Sequence, residues 1–470
     1  MSPVIILGGA ISFVLAAFIL LQSKRTIFWA AFVLVFTPID YIKRYFVEVP
    51  TIARWLPLLT IMGFAMLSFL VITHYRAKTP RSLTLIYYAI LAVGIISLMT
   101  NRSAVGAFIV AQRGYITIFA MLAMLKAVYY IYDKDDIMGF LVWAGLASSG
   151  AAFFQRVFFV MIQGRSGDMV CGLFPVDGIY LYYQLACIII VISYWLHGRQ
   201  PIRIPSQTVL LILTMSLAFG NNKAGFMFMG LVVLFIASLA GFKTVLRNFG
   251  KLLGGFALVG LVAVIFNSFY NKTYADSNEE SFSEAVQNPD YLYRYMFGGK
   301  LKHQKFAPSG QLLRGASIEF AYNLIKEKPE TLVVGMGPGS TQHSNMPGSM
   351  GWLEARYPGY TIGRVPLGMY LAEIGILGLI LQIAFLFGIY YWKPKDPRAD
   401  RPEFVLMRKA FVVMTLLFYI YENLYFEAVF ALLIGALVYP NILGVMRAEE
   451  ADESPAAEET KPAEAEWVPA

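Results

Sequence analysis

The sequence predicts an all-α, polytopic membrane protein, and three observations predict it. Hydrophobic residues fill 58% of the 470 positions and charged residues only 14%, where soluble domains run at roughly 45–50% and 25%. The mean hydropathy is +0.60. Apolar runs near the length of about 20 residues that a helix needs to cross a hydrocarbon core recur along the chain, separated by short basic stretches. The formal charge of +8 calls for no nucleic-acid partner, because multi-pass proteins gather Lys and Arg on one side and face anionic headgroups with them.

In order, the runs cover 3–22, 26–41, 54–73, 83–100, 107–131, 137–162, 178–196, 207–220, 224–241, 252–270, 365–392, 405–421 and 427–446. They amount to about 11–14 membrane helices. The first run continues into Lys24-Arg25 and a second apolar run, without a small-residue cleavage site, so it reads as a membrane helix. The chain divides into N-terminal transmembrane helices (1–163), central helices (164–270), one large loop (271–363), C-terminal transmembrane helices (364–447) and an acidic tail (448–470). Cys171 and Cys187 are too few for a disulfide framework and match no thiolate metal site; they read as small buried residues.

Four basic stretches fall on one side if the runs alternate: HYRAKTPR (74–81), HGRQPIR (197–203), FKTVLRNFGK (242–251) and WKPKDPRADRPEFVLMRK (392–409). The Lys/Arg bias of short loops assigns that side to the cytoplasm. The Ala-, Pro- and Glu-rich tail lands there too, with a composition that cannot form a core. Residues 271–363 then lie on the extracytoplasmic face, and loops of such length are usually functional. Within them GASIEFAYNLIKEKP (315–329) places Ile318, Ala321, Tyr322 and Ile325 at helical spacing before Lys-Pro, which predicts a short amphipathic helix on the membrane surface. VVGMGPGS (333–340) reads as an extended piece followed by tight turns.

Soluble catalytic templates fail. Gly335, Gly337 and Gly339 open no apolar helix, so they make no dinucleotide fingerprint, and the chain has no GxxxxGK[ST], HExxH or CxxC. YDKDDI (132–137) contains Asp133-x-Asp135, a spacing found in metal-dependent sugar transferases, but in a short turn before an apolar run Asp is favoured as a helix cap. No metal and no other cofactor is expected. More informative are cations at outer helix ends, where they oppose the topological bias: Arg113, Arg165, Lys223 and Arg364, with Arg314 opening the surface helix. Singly, each reads as readily as a snorkelling side chain. Together they suit a lipid-linked pyrophosphate, since Arg forks bind phosphate oxygens bidentately and offset charge on a leaving phosphate.

Several stretches resemble the O-antigen polymerase and O-antigen ligase superfamily. GNNKAGFMFMGLVVLFIA (220–237) is similar to the Ser-Arg-Gly-type start of its conserved domain, with Lys223 where the family has Arg. RGASIEFAYNLIKEKPETLVVGMGPGS (314–340) resembles the family's Arg-led helix ending at Pro before a Gly-x-Gly-x-Gly turn. PLGMYLAEIGILGLIL (366–381) looks like the next helix, with Glu373 and Gly375 in the Leu-Ala-Glu-x-Gly places. RSGDMVCGLFPVDGIYLYYQLA (165–186) looks like the upstream outer loop. The resemblance covers about 165–392 and implies a GT-C-like fold in a bacterial inner membrane, with an inverting, metal-independent glycosyl transfer at the periplasmic face. The donor would be an undecaprenyl-pyrophosphate-linked oligosaccharide, the acceptor a glycan hydroxyl, and a chain-length regulator a candidate partner.

Arg165, Lys223 and Arg314 match the family's pyrophosphate-binding cations, with Arg113 and Arg364 as further candidates. The family also keeps a His shortly before the Glu373 helix. Here Arg364 holds that place, and His343 lies further upstream in an insertion-like segment. The proton acceptor for the attacking hydroxyl is therefore open among His343, whose ordinary pKa suits the task, the carboxylates Glu319 and Glu354, and no dedicated base at all if departure of the pyrophosphate leads. Arg364 cannot lose its proton and reads as a phosphate or sugar ligand. His343 reads equally as a turn hydrogen-bonder, and Glu373 as a cap or an internal pair. Three functions are expected in descending order: polymerase joining repeat units, ligase moving glycan to lipid A-core or protein, and flippase for the lipid-linked sugar. Transporters favour internal repeats and broken helices at midplane, and neither is legible in the sequence.

Overall fold

The computed structural model describes residues 81–101, 131–163, 170–174, 176–219, 223–248, 312–342, 350–358, 360, 362–394, 399–422 and 428–439, with single positions between 29 and 36, 105 and 128, 250 and 265, and 441 and 446. Among the described residues the regular structure is helical: α1 (Arg81–Asn101), α2 (Lys134–Gln155) with a π-helical continuation (Arg156–Ile162), α3 (Asp177–Leu196), α4 (Ser206–Phe219), α5 (Lys223–Ala240), α6 (Phe242–Arg247), α7 (Arg314–Ile325), α8 (Pro329–Val334), α9 (Trp352–Arg356), a 3-10 turn (Ile362–Arg364), α10 (Pro366–Tyr391), α11 (Pro402–Phe418) and α12 (Ala428–Val438). Four helices among these residues are long and apolar enough to cross a membrane: 82–101, 134–162, 177–196 and 366–391. That is the architecture of a helical membrane protein. The runs at 3–22 and 54–73, most of 26–41, 107–131 and 252–270, and the tail lie outside the described residues.

The bundle is built around α3. From Gly178 to Tyr194 each of its residues is buried, as expected of a helix apolar on all sides, and α2, α4, α5 and α11 pack against it. Buried tyrosine hydroxyls need partners, and three different neighbours supply them. Tyr180 Oη donates to Ser216 O on α4 at 2.9 Å, Tyr183 Oη to Leu141 O on α2 at 2.6 Å, and Tyr182 Oη shares a 2.9 Å bond with Thr415 Oγ1 on α11. Cys171 and Cys187 are buried and not disulfide-bonded.

The described residues of the basic stretches border one end of this bundle. There Tyr194 near the end of α3 donates to Asp135 at the start of α2, Arg199 pairs with Glu403 at the start of α11 (3.0 Å), and Asn248 after α6 donates to Leu196 O (3.1 Å). Gly388, late in α10, packs against Leu83, early in α1. The described parts of 312–365 sit at the opposite end. A reporter fused after Glu354 is therefore expected to read extracytoplasmic, and one fused after Lys393 cytoplasmic; the reverse pair of readings would invert the bundle.

The described residues of 312–365 form a second small core with α10, made of Leu312, Ala321, Ile325, Met336, Leu353, Ile362, Leu371 and Ala372. The predicted surface helix is α7, but its buried stripe is Ser317, Ala321 and Ile325 and it packs on α10. Tyr322, expected on the apolar face, is exposed, while Ser317 and Ile318 approach α10 at Gly368. Val333 and Val334, expected as extended, end the helix α8: Pro329 presets its first turn and Glu330 suits its N-terminus. A third correction concerns α10, which is broken. Gly375 takes φ 65° and ψ −168° inside it, so the expectation of unbroken helices fails.

Candidate functional site

The glycine-rich turn docks into the break in α10. Gly335 and Gly375 meet backbone to backbone: a Cβ on Gly335 would lie 2.5 Å from the Glu373 carbonyl carbon and the Ile374 and Gly375 nitrogens, and one on Gly375 would lie 2.5 Å from Gly335 N and Val333 O. The break frees carbonyls of α10, and the turn uses them. Met336 N donates to Ala372 O at 2.7 Å and Gly337 N to Glu373 O at 3.0 Å. Asn101 at the end of α1 donates to Gly335 O at 2.8 Å. Glu373, buried in α10, accepts from Thr341 Oγ1 at 2.6 Å and from Thr341 N at 3.2 Å. It is thus the clamp that holds the turn. Thr341 in turn packs against Gly363, the residue before Arg364.

Beside this clamp lies an ionic cluster drawn from four elements. Arg314, the first residue of α7, donates from Nε to Tyr421 O at 3.0 Å, and its guanidinium lies 4.2 Å from the centre of the Tyr421 ring. Arg364 Nε lies 3.6 Å from Glu422 Oε2, the arginine side chain being 47% exposed and the glutamate 15%. Glu422 in turn presses on Gly178, where a Cβ would come within 2.5 Å of its Cγ, so glycine at the start of α3 is what makes room for this carboxylate. Burial pushes the Glu422 carboxyl above the usual carboxylate range; Asp177 adds to the rise, and Arg364 and Arg314 oppose it. Leu367 N donates to Tyr419 O at 2.9 Å, tying the start of α10 to the end of α11. The starts of α3, α7 and α10 thus meet the end of α11 here, and helix N-termini favour anions.

Of the residues expected at the site, the structure brings together Arg314 and Arg364. Glu354 is buried on α9, whereas Glu319 stands exposed on α7. Arg113, Arg165 and His343 lie outside the described residues. Lys223 begins α5, and its side chain also lies outside them. Sequence reasoning missed Asp177 and Glu422. The available signal was an acidic residue just past the outer end of an apolar run, read there as loop.

Asp133 and Asp135 resolve as structure. Asp133 caps α2 in a box with Asp136, and Asp135 pairs with Arg401 and accepts from Tyr194. Around them Lys134 Nζ, fully buried, donates to Tyr439 O at 2.8 Å and Leu437 O at 3.3 Å, satisfying carbonyls at the end of α12. Arg408 grips Asp400 through two bonds of 3.0 and 2.8 Å. This end of the bundle is locked by ion pairs. No family model matches the chain, and no curated protein matches it, so the resemblance rests on the quoted residues.

Proposed function

We propose that the chain is a glycosyltransferase acting on polyprenyl-pyrophosphate-linked glycans at the extracytoplasmic face, and specifically a polymerase of repeat units. The observation that supports this most is the meeting of Arg314 and Arg364 around Tyr421-Glu422, at the end of the bundle opposite the basic stretches. Two guanidiniums held on separate, mutually packed elements can grip a pyrophosphate and offset the charge that grows on it as it leaves. The acceptor hydroxyl then attacks the anomeric carbon from the opposite face, forming the glycosidic bond with inversion as the bond to phosphate breaks, and its proton passes to a base. His343, Glu354 and Glu319 remain the candidates for that base, Glu354 buried on α9 and Glu319 exposed on α7.

The break at Gly375 favours a second reading, a flippase for the same lipid, since broken helices are common in transporters. One experiment separates them. Purified protein in proteoliposomes receives a lipid-linked repeat unit, and products are resolved by mass spectrometry. Longer glycans with release of polyprenyl pyrophosphate support the polymerase; a lipid that changes leaflet with its glycan unchanged supports the flippase. Transfer only to a lipid A-core or protein acceptor identifies a ligase. Because Asp133 and Asp135 are committed to a cap and an ion pair, turnover is expected unchanged in excess EDTA. Loss of turnover restored by Mg²⁺ would count against the resemblance.

A further inference from the structure

A clamp made only of arginines would need no carboxylate, yet Glu422 is set against Arg364 in a space that Gly178 keeps open. We propose that Glu422 is a resting counter-ion, displaced from Arg364 when a pyrophosphate binds, so that anion binding at this site is coupled to uptake of a proton. The inference rests on the reading above in taking a polyprenyl pyrophosphate as the ligand.

Four groups face or flank the Glu422 carboxylate. Arg364 approaches from the 3-10 turn, Arg314 from α7 and Asp177 from α3, while Tyr421 precedes it on its own segment and carries Arg314. In the resting site two cations are balanced by two carboxylates, which lets a partly buried cluster persist without a ligand. A pyrophosphate that takes Arg364 leaves Glu422 without its closest cation and with a new negative neighbour. Both changes favour the neutral carboxyl. Burial already pushes this carboxyl in the same direction.

The sign of the pH effect follows. A ligand whose binding requires protonation of Glu422 binds more tightly as pH falls through the range where that carboxyl titrates. A plain arginine clamp shows the opposite trend, because protonating the phosphate removes charge from the ligand.

The test uses geranyl pyrophosphate as the probe and the full chain in lipid nanodiscs, with isothermal titration in two buffers of different ionisation enthalpy. Wild-type protein is expected to take up a fraction of a proton, up to one, per ligand at neutral pH. Glu422→Gln removes the competitor and is expected to bind about tenfold more tightly at pH 7.5, the gap narrowing as pH falls and the wild-type carboxyl protonates. The probe's own titration is common to both proteins and cancels in the ratio. In an Arg364→Gln background the gain from Glu422→Gln should shrink to the part that comes from repulsion between the carboxylate and the bound anion. Should Glu422→Gln not fold, the wild-type proton count is taken at about pH 8, where the probe carries no proton to release, and decides alone. No proton uptake by the wild type there, or no gain in Glu422→Gln, overturns the coupling and leaves the donor reading standing. No binding of the probe by the wild type or the variants at any pH overturns both.

Discussion

Gly335→Ala is expected to cost the fold about 3–5 kcal/mol, enough to prevent recovery of folded protein in detergent. Gly335 has φ 75° and ψ −168°, a backbone region open essentially to glycine alone. Strain is the smaller part. The new Cβ would stand 2.5 Å from three backbone atoms of residues 373–375, and backbone atoms in a helix cannot swing aside as a side-chain tip can. To make room the turn must lift from α10, which surrenders the bonds from Met336 N and Gly337 N to the carbonyls freed by the break. Those carbonyls then lie buried without partners. Gly230→Ala is the control: a Cβ there meets nothing within 4 Å, and in the helix α5 it should be neutral or slightly stabilising. Thermal unfolding in detergent compares the two. A Gly335→Ala protein that melts with the wild type would remove the docked-turn account of the α10 break.

Much of the bundle is legible in the sequence because hydropathy reports it directly. The run at 178–196 becomes α3 at Asp177–Leu196, and the run at 365–392 becomes α10 at Pro366–Tyr391. What hydropathy cannot report is a change of backbone direction inside an apolar run. LAEIGILG reads as continuous helix, and only the approach of Gly335 from outside the run shows why Gly375 leaves helical space. The ionic cluster is hidden for a similar reason. Arg314 and Arg364 stand out as cations at outer helix ends, a local signal. Glu422 and Asp177 gain meaning only from the packing of the end of α11 against the start of α3, which no spacing encodes. Asp133 shows the reverse case: its capping role depends on Lys134 and Asp136 alone, and the sequence favours it correctly.

Arg314→Ala is expected to weaken donor binding by roughly 1.5–3 kcal/mol, which is about 10- to 160-fold, with turnover falling at least in proportion. The side chain is held by two features: Nε on Tyr421 O at 3.0 Å and the guanidinium over the Tyr421 ring at 4.2 Å. Those contacts fix the plane of the fork before any anion arrives, so the entropy of ordering it is already spent in the resting protein. Arg314→Lys should recover only part of the loss, because an ammonium can keep the ring contact but cannot present a planar, bidentate fork. Arg364→Ala should behave like Arg314→Ala if both grip the same pyrophosphate, and each variant is read with geranyl pyrophosphate binding and with lipid-linked donor turnover. His343→Ala, if that residue is the base, should leave binding intact and cut turnover about a hundredfold. A different pattern would redraw the site: if His343→Ala turns over normally while Arg364→Ala abolishes turnover, His343 belongs to a turn and Arg364 to the chemistry. If Arg314→Ala and Arg364→Ala both bind and turn over as the wild type does, the cluster at Tyr421-Glu422 serves only to hold α7 and α10 against the end of α11.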